Sequence, residues 1–356
     1  MPMPRTIVLT GFPGFLAARL IPRLLAADEE ARIVALVEPR MVDRAAELAP
    51  DGVEIQAGDI THPRLGLDAQ TYERLTAETV AVFHLAAVYD LAVGAALAEL
   101  VNVQGTQHVV DFCARCTQLE RHHYISTAYV AGLRSGLILE TELAAGQAFK
   151  NFYESTKFAA EVIVRASMDT IPTTIYRPAI VVGDSRTGET QKFDGPYYLL
   201  RAMAGRRGPL LQIGRGDAPF NVVPVDFVVD VIAAGARDPA AAGLTLHLVD
   251  PEPVSSLELT RLLAREYAGR EPTLRLPPGV VDRSLRFRPV RQAFGGTPRQ
   301  STVYLNHPVR FDTTQASTVV SRNGLRCPRF PEYVGAMVRF FAAHEHDNGL
   351  RPAHEK

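Results

Sequence analysis

Apolar and polar positions in the first half of the chain follow two rhythms. Short runs of strand-forming residues occur at 5–10, 32–37, 53–59, 79–87, 121–127 and 173–179. Between them lie longer stretches, at 14–27, 41–49, 101–117 and 153–168, in which apolar residues recur every three or four positions. The first rhythm predicts strands, and near-continuous Val, Ile and Leu predicts burial on both faces. The second predicts amphipathic helices, as at 14–27, where Leu16, Leu20, Leu24 and Leu25 share one side. Strands alternating with helices of this length predict an α/β fold, a doubly wound parallel sheet with helices on both faces.

The rhythm breaks after residue 180. Residues 183–196, rich in Gly, Asp and Thr, read as a loop. A helix is expected near 196–205, a strand end running into a helix at 223–238, a strand at 244–250 and a final amphipathic helix at 331–346. Another helix at 255–268 opens with Ser255 and Ser256 and has Glu258 in its first turn. Residues 270–328 carry many Pro and Arg and few periods. The expected division is a core of residues 1–180, joined by elements from about 221–250, and a smaller mixed C-terminal lobe of 181–220 and 251–356. Such a lobe would sit over the carboxyl ends of the strands, where ligands bind in open α/β sheets.

Composition narrows the class. With 356 residues, 47% of them hydrophobic, the chain has ample material for a large core. Lys and Arg number 38 against 39 Asp and Glu, so no general attraction to nucleic acid or an anionic membrane is expected. Three cysteines exclude a disulfide framework and fit a reducing compartment. Cys113 and Cys116 form a C-x-x-C without a second pair, so a structural role is expected rather than zinc or redox chemistry. The N-terminal stretch lacks a signal-peptide pattern, and no apolar run has the length of a membrane span, so a cytoplasmic, soluble protein is expected.

The first strand runs into Gly11-x-x-Gly14-x-x-Ala17 and then into a helix. Gly11 permits a tight turn, Gly14 lets the backbone approach a pyrophosphate, and Ala17 allows close helix–strand packing. Free N–H groups and the positive dipole end of the helix would then face the phosphates. This is a dinucleotide-binding turn of the Rossmann type, with Phe12, Pro13, Phe15 and Leu16 flanking the glycines. Glu38, at the end of strand two, would bind the adenosine ribose hydroxyls of NAD; Arg40, two positions on, could instead hold the 2′-phosphate of NADP. Asp59, followed by Ile60, ends the third strand and could accept from the adenine amino group.

Tyr153-x-x-x-Lys157 opens a helix, and four-residue spacing puts both side chains on one face. A neighbouring ammonium favours the phenolate, lowering the phenol's pKa toward neutrality and fitting it to proton transfer. The lysine could also hold the nicotinamide ribose. Ser126 or Thr127, at a strand end, would offer a hydroxyl beside Tyr153.

Five stretches in this order, "TGFPGFLA", "GDI", "FHLAA", "VNVQGT" and "YESTK", resemble the extended short-chain dehydrogenases/reductases over about residues 5–180. The resemblance implies that Leu85, Ala86 and Ala87 line the cofactor, that Asn102 supports the active site, and that Tyr153 and Lys157 are the catalytic pair. It places Thr127, rather than Ser126, at the family's hydroxyl position, and sets Arg177, Pro178 and Ala179 near the nicotinamide. "RPAIVVGDSRTGE", "STAYVAG" and "FHLAAVYDL" are more similar to the fatty-acyl and thioester reductase branch, the male-sterility-like group. That branch reduces acyl thioesters, from coenzyme A or a carrier, usually with NADPH; Glu38 departs from the basic residue often found there. Sugar-nucleotide epimerases and dehydratases usually carry an Asn where this chain has Ile180. They remain the alternative enzyme class, and a non-catalytic cofactor sensor the alternative outside catalysis.

Other residues have plainer expectations. His84, His122, His123 and His247 show no metal spacing and read as structural. Tyr197, Tyr198 and Phe193 are expected mainly to pack, with lining of the substrate site as the alternative, and Arg201, Arg206 and Arg207 to form a solvated basic face rather than a phosphate site. The helix at 331–346 is expected to pack the lobe, with a membrane-surface or homodimer helix as the alternatives.

Overall fold

In the structure, a computed structural model, residues 5–89, 93–204, 210–287 and 303–351 are described. Seven strands form one sheet: β1 (Arg5–Thr10), β2 (Ala31–Val37), β3 (Val53–Ala57), β4 (Thr79–His84), β5 (Arg121–Ile125), β6 (Thr173–Pro178) and β7 (Thr245–Leu248). Their spatial order is β3-β2-β1-β4-β5-β6-β7, and every neighbouring pair is parallel. The chain therefore builds outward from β1 to one side, then crosses back to extend the sheet on the other. The crossing falls between β1 and β4, where a crevice opens at the carboxyl ends of the strands.

Alternation along the strands explains the two layers. Ile7 and Leu9 of β1 join Ile33, Ala35 and Phe83 in a core shared with helix α1 (Phe15–Ala27). Val8, between them, joins Val34, Val82 and Ile175 in a second core on the opposite face. That face is covered by α2 (Gly105–Arg115) and α3 (Phe152–Ser167), through Val109, Phe112, Ala160 and Val164. Helix α4 (Val225–Arg237), almost wholly buried, packs beside α1.

The segment before α2 differs from a simple helix over 101–117. Glu99–Gln104 forms a widened, π-type turn, and the regular helix starts only at Gly105. Asn102 lies within that turn and is buried. Residues 270–328, which carry no clear period, contain short elements: strands Leu274–Leu276 and Val309–Phe311 and helices Pro278–Ser284 and Thr314–Arg322. The two strands pair in parallel with Leu211–Ile213 and Gly136–Ile138, respectively. Three-residue strands are too short to show an alternation. The helix Ser256–Ala268 is capped as its sequence predicts, Ser255 Oγ accepting from Glu258 N–H at 3.2 Å. Helix Phe330–His344 buries Phe330, Tyr333, Met337 and Phe341.

Candidate active site

The first turn of α1 shapes the floor of the crevice. Gly11 has φ +93°, and a Cβ there would meet the Ala86 nitrogen at 2.7 Å. Only glycine therefore lets β1 turn against the 85–88 loop. Gly14 caps α1, and no acidic side chain occupies the first helical turn. Its free N–H groups and absent negative charge suit a pyrophosphate.

A cavity of about 1020 Å³ runs from this turn across the carboxyl ends of the strands. Gly11, Phe12, Pro13, Gly14, Phe15 and Leu16 line one end, together with Glu38, Arg40, Asp59 and Ile60. Leu85, Ala86 and Ala87 follow, and Ser126, Thr127, Tyr153, Lys157, Pro178 and Ala179 line the middle. Beyond them the walls turn apolar, with Leu199, Ile213, Phe220, Val281, Leu285 and Leu305. Tyr198 lines the cavity too, whereas Phe193 and Tyr197 pack into an aromatic cluster with Phe341.

At the outer end, the Arg40 and Glu38 side chains form an exposed ion pair at 2.6 Å. Asp59 accepts from the N–H and hydroxyl of Thr61, at 2.8 and 2.7 Å. Burial pushes the Asp59 carboxyl up, but these bonds and His62 outweigh it and hold the group below its usual value.

In the middle, α3 presents Tyr153 and Lys157 to the cavity on one face. Asn151 caps this helix, accepting from Glu154 N–H at 2.9 Å. Lys157 Nζ donates to the Ile125 carbonyl at 2.7 Å and lies 4.4 Å from the centroid of the Tyr124 ring. Burial pulls the Lys157 pKa down to about 7, with Glu161 acting against it. Burial pushes Tyr153 up to about 12, and its hydrogen bond with Thr127 works in the opposite direction. The expected lowering of the phenol by its lysine is thus absent: the ammonium is engaged by a carbonyl and a ring, while burial dominates the phenol. Thr127 Oγ donates to the Pro178 carbonyl and accepts from Tyr129 N–H, both at 3.3 Å. Ser126 Oγ donates to Glu161 at 2.6 Å.

Two expected site residues stand behind the cavity wall. Arg177 is fully buried and does not line the cavity. On β6 it shares the face of Ile175, toward α3, where its guanidinium binds Glu161 at 2.6 Å, the Glu142 carbonyl at 2.8 Å and His247 at 3.1 Å. The strand's alternation therefore turns it away from any nicotinamide. Asn102 is likewise buried: its amide bonds Val88 N–H and C=O at 2.9 and 3.0 Å and Thr156 at 3.0 Å.

Sequence reasoning overlooked Glu161, although it continues the four-residue series Tyr153, Lys157, Glu161 and so carried a signal. Tyr129 and Tyr304 were also overlooked. They pack edge to face at 5.0 Å in the cavity wall, and Tyr304 donates to the buried Glu154 at 2.6 Å. Nothing local marks Tyr304, which reaches the site from 150 residues downstream. His84, His122, His123 and His247 are buried, and burial pulls each below the ordinary imidazole value. Cys113 and Cys116 lie as free thiols whose pKa burial raises. Among the described residues no cluster of His, Cys, Asp or Glu is arranged to hold a metal, and no helix is long and apolar enough to cross a membrane. Arg206 and Arg207 lie outside the described residues; Arg201 sits on the helix Tyr197–Met203.

The parallel sheet, the glycine turn and the Tyr–Lys helix define a nicotinamide-dinucleotide-binding domain of the extended short-chain dehydrogenase/reductase type. The chain belongs to the male sterility protein family, which matches residues 9–232. It is similar to the terminal R domain from the myxalamid PKS-NRPS pathway, with 26% identity, 97% of this chain and 92% of that one covered, and a TM-score of 0.81. The UDP-glucuronic acid 4-epimerase of Bacillus cereus, solved with NAD, shares the fold at 18% identity, 95% and 99% coverage and a TM-score of 0.67. Among curated proteins, the L-2-aminoadipate reductase large subunit of Penicillium chrysogenum is 28% identical over 70% of this chain and 19% of its own length. The fatty acyl-CoA reductase wat of Drosophila melanogaster is 26% identical over 65% of this chain and 54% of its own length. This chain matches between 4% and 54% of the length of such relatives.

Proposed function

We propose that the protein reduces the carbonyl of an acyl thioester, or of an aldehyde or ketone, with a nicotinamide nucleotide. The observation that carries this reading is one cavity lined by the glycine turn, by Tyr153 and Lys157, and by an apolar far wall. Bound nucleotide would supply a hydride. Gly11, Gly14 and the first turn of α1 would hold its pyrophosphate, and Ala86 and Ala87 would flank it. Tyr153 gives its proton to the carbonyl oxygen, and Thr127 shares a hydrogen bond with that phenol. Lys157, when protonated, would offset the negative charge that the phenolate gains as its proton leaves. With a thioester, hydride on carbon and proton on oxygen yield a hemithioacetal, which collapses to an aldehyde and a thiol. The apolar residues of the 181–220 and 251–356 segments would take the acyl portion.

Glu38 supports NAD, because a carboxylate repels a 2′-phosphate and accepts from ribose hydroxyls. Arg40 supports NADP as a second reading, since it lines the same end and needs only to leave Glu38. The family resemblance to thioester reductases favours reduction over sugar-nucleotide epimerisation, and Ile180 lines the cavity at the position of the epimerases' usual Asn. Incubation with NADH or NADPH and a panel of acyl thioesters and aldehydes tests the proposal through loss of nucleotide absorbance. Nucleotide binding without consumption by any panel member would overturn it in favour of a sensor or an epimerase.

A further inference from the structure

His84 reads from the sequence as core packing, yet every polar atom of its ring is used. Its Nδ1 lies 2.8 Å from Thr10 Oγ and its Nε2 lies 3.1 Å from Thr106 Oγ. Thr10 Oγ also receives the Ala86 backbone N–H at 3.1 Å. Thr106 donates its one proton to the Asn102 carbonyl at 2.6 Å. These ends fix the direction of the whole chain. A carbonyl only accepts, so Thr106 has only a lone pair left for His84, and Nε2 must donate. An amide N–H only donates, so Thr10 is free to send its proton to Nδ1.

The network then divides. The Asn102 side chain clamps Val88 through both its N–H and C=O and donates to Thr156 Oγ at 3.0 Å. Thr156 donates to the Phe152 carbonyl at 2.7 Å, in the first turn of α3. The cavity-lining backbone between Leu85 and Val88 is thereby tied at Ala86 by one arm and at Val88 by the other. Thr10, His84, Asn102 and Thr106 are each no more than 1% exposed, so water does not compete for these bonds.

We infer that His84 is a positioning residue: a neutral imidazole with its proton on Nε2, it holds the cofactor-facing 85–88 backbone in register with the helix bearing Tyr153 and Lys157. A second proton, on Nδ1, would donate to Thr10 and leave the Thr10 hydroxyl proton without its buried acceptor, loosening the Thr10–Ala86 contact. Burial keeps that proton off, and the Lys157 ammonium, with His122, adds to the effect; the Tyr124 ring lies at 5.7 Å. The assignment rests on the dinucleotide reading of the crevice, but its test needs no turnover.

In histidine-labelled, nucleotide-free protein, ¹⁵N correlation spectra should show His84 as the Nε2–H tautomer without titration across roughly pH 5.5–8.5. An Nδ1–H tautomer, or a charge change in that range, overturns the assignment. Three variants separate the two arms, with NADH and NADPH binding read by nucleotide fluorescence. His84→Asn offers an acceptor at the Nδ1 position and should bind within about threefold of the parent. His84→Gln reaches only the Thr106 side and His84→Leu reaches neither; both leave a buried Ala86–Thr10 pair without its acceptor and should weaken binding roughly tenfold or more. Equal loss in all three variants, or none in His84→Leu, makes the residue mere packing and overturns it. If His84→Leu does not fold, the Asn–Gln difference and the tautomer still decide. Nucleotide binding that follows this order in a protein that reduces no carbonyl supports the assignment and refutes the proposed function.

Discussion

At the scale of single residues, Tyr153 and Lys157 show how burial reshapes two groups that a motif merely names. Burial raises the phenol to about 12 and lowers the lysine to about 7, so each is biased toward its neutral form. Tyr153→Phe should therefore cut kcat roughly 10²–10⁴-fold while nucleotide affinity, read by fluorescence titration, stays near that of the parent. Unchanged turnover would remove Tyr153 from the chemistry. Lys157 also links pH to stability. A lysine whose folded pKa lies below its unfolded value binds fewer protons folded than unfolded between those two values, so folding is penalised at low pH and relieved as pH rises. Between about pH 7 and 10 the nucleotide-free protein should gain stability relative to Lys157→Met. Urea unfolding of both proteins at several pH values checks this; parallel curves would contradict it.

At the scale of elements, β6 and α3 are bolted together by a buried ion pair. Arg177 and Glu161 are both fully buried, and Glu161 also takes Arg165 and Ser126. Removing one partner leaves an uncompensated charge in the interior, so Arg177→Met should cost about 3 kcal/mol in urea unfolding. Arg177→Met/Glu161→Met should recover much of that loss, because both charges are gone. Additive losses would mean that the two charges are not coupled, and would contradict this reading. The same bolt explains a limit of the sequence. The glycine turn and the Tyr–Lys pair are legible because both are local: a strand, a turn and a helix between Arg5 and Ala27, or one helical repeat. Whether Arg177 faces a ligand or a carboxylate depends on strand alternation relative to α3, and no local pattern states that. The short strands at 274–276 and 309–311 were hidden for a related reason, since each exists only through a partner more than 60 residues away.

At the scale of the whole molecule, one cavity is lined by both the glycine turn and the apolar lobe residues, and its walls come from distant parts of the chain. The end with the glycine turn was legible from the sequence because the residues at or just beyond the ends of β1, β2, β3 and β4 line it in turn. The apolar end was not, since Ile213, Phe220, Val281, Leu285 and Leu305 meet only after the lobe has packed. Ala202 lines this region from the helix Tyr197–Met203. Ala202→Phe should fill part of it, raising KM for long-chain acyl thioesters roughly tenfold while short aldehydes and nucleotide affinity are little changed. A uniform loss for all substrates would place the acyl portion elsewhere.

The pairing of α1 with α4 carries a consequence for how this protein is made. Helix α1 ends at Ala27, but the surface that covers its outer side, α4, ends only at Arg237. On the ribosome some 200 residues must emerge before that contact can close, at roughly 10 to 40 seconds for typical elongation rates. Throughout that interval the outer side of α1 stays uncovered, so chains truncated before Val225 should aggregate more than chains that include α4.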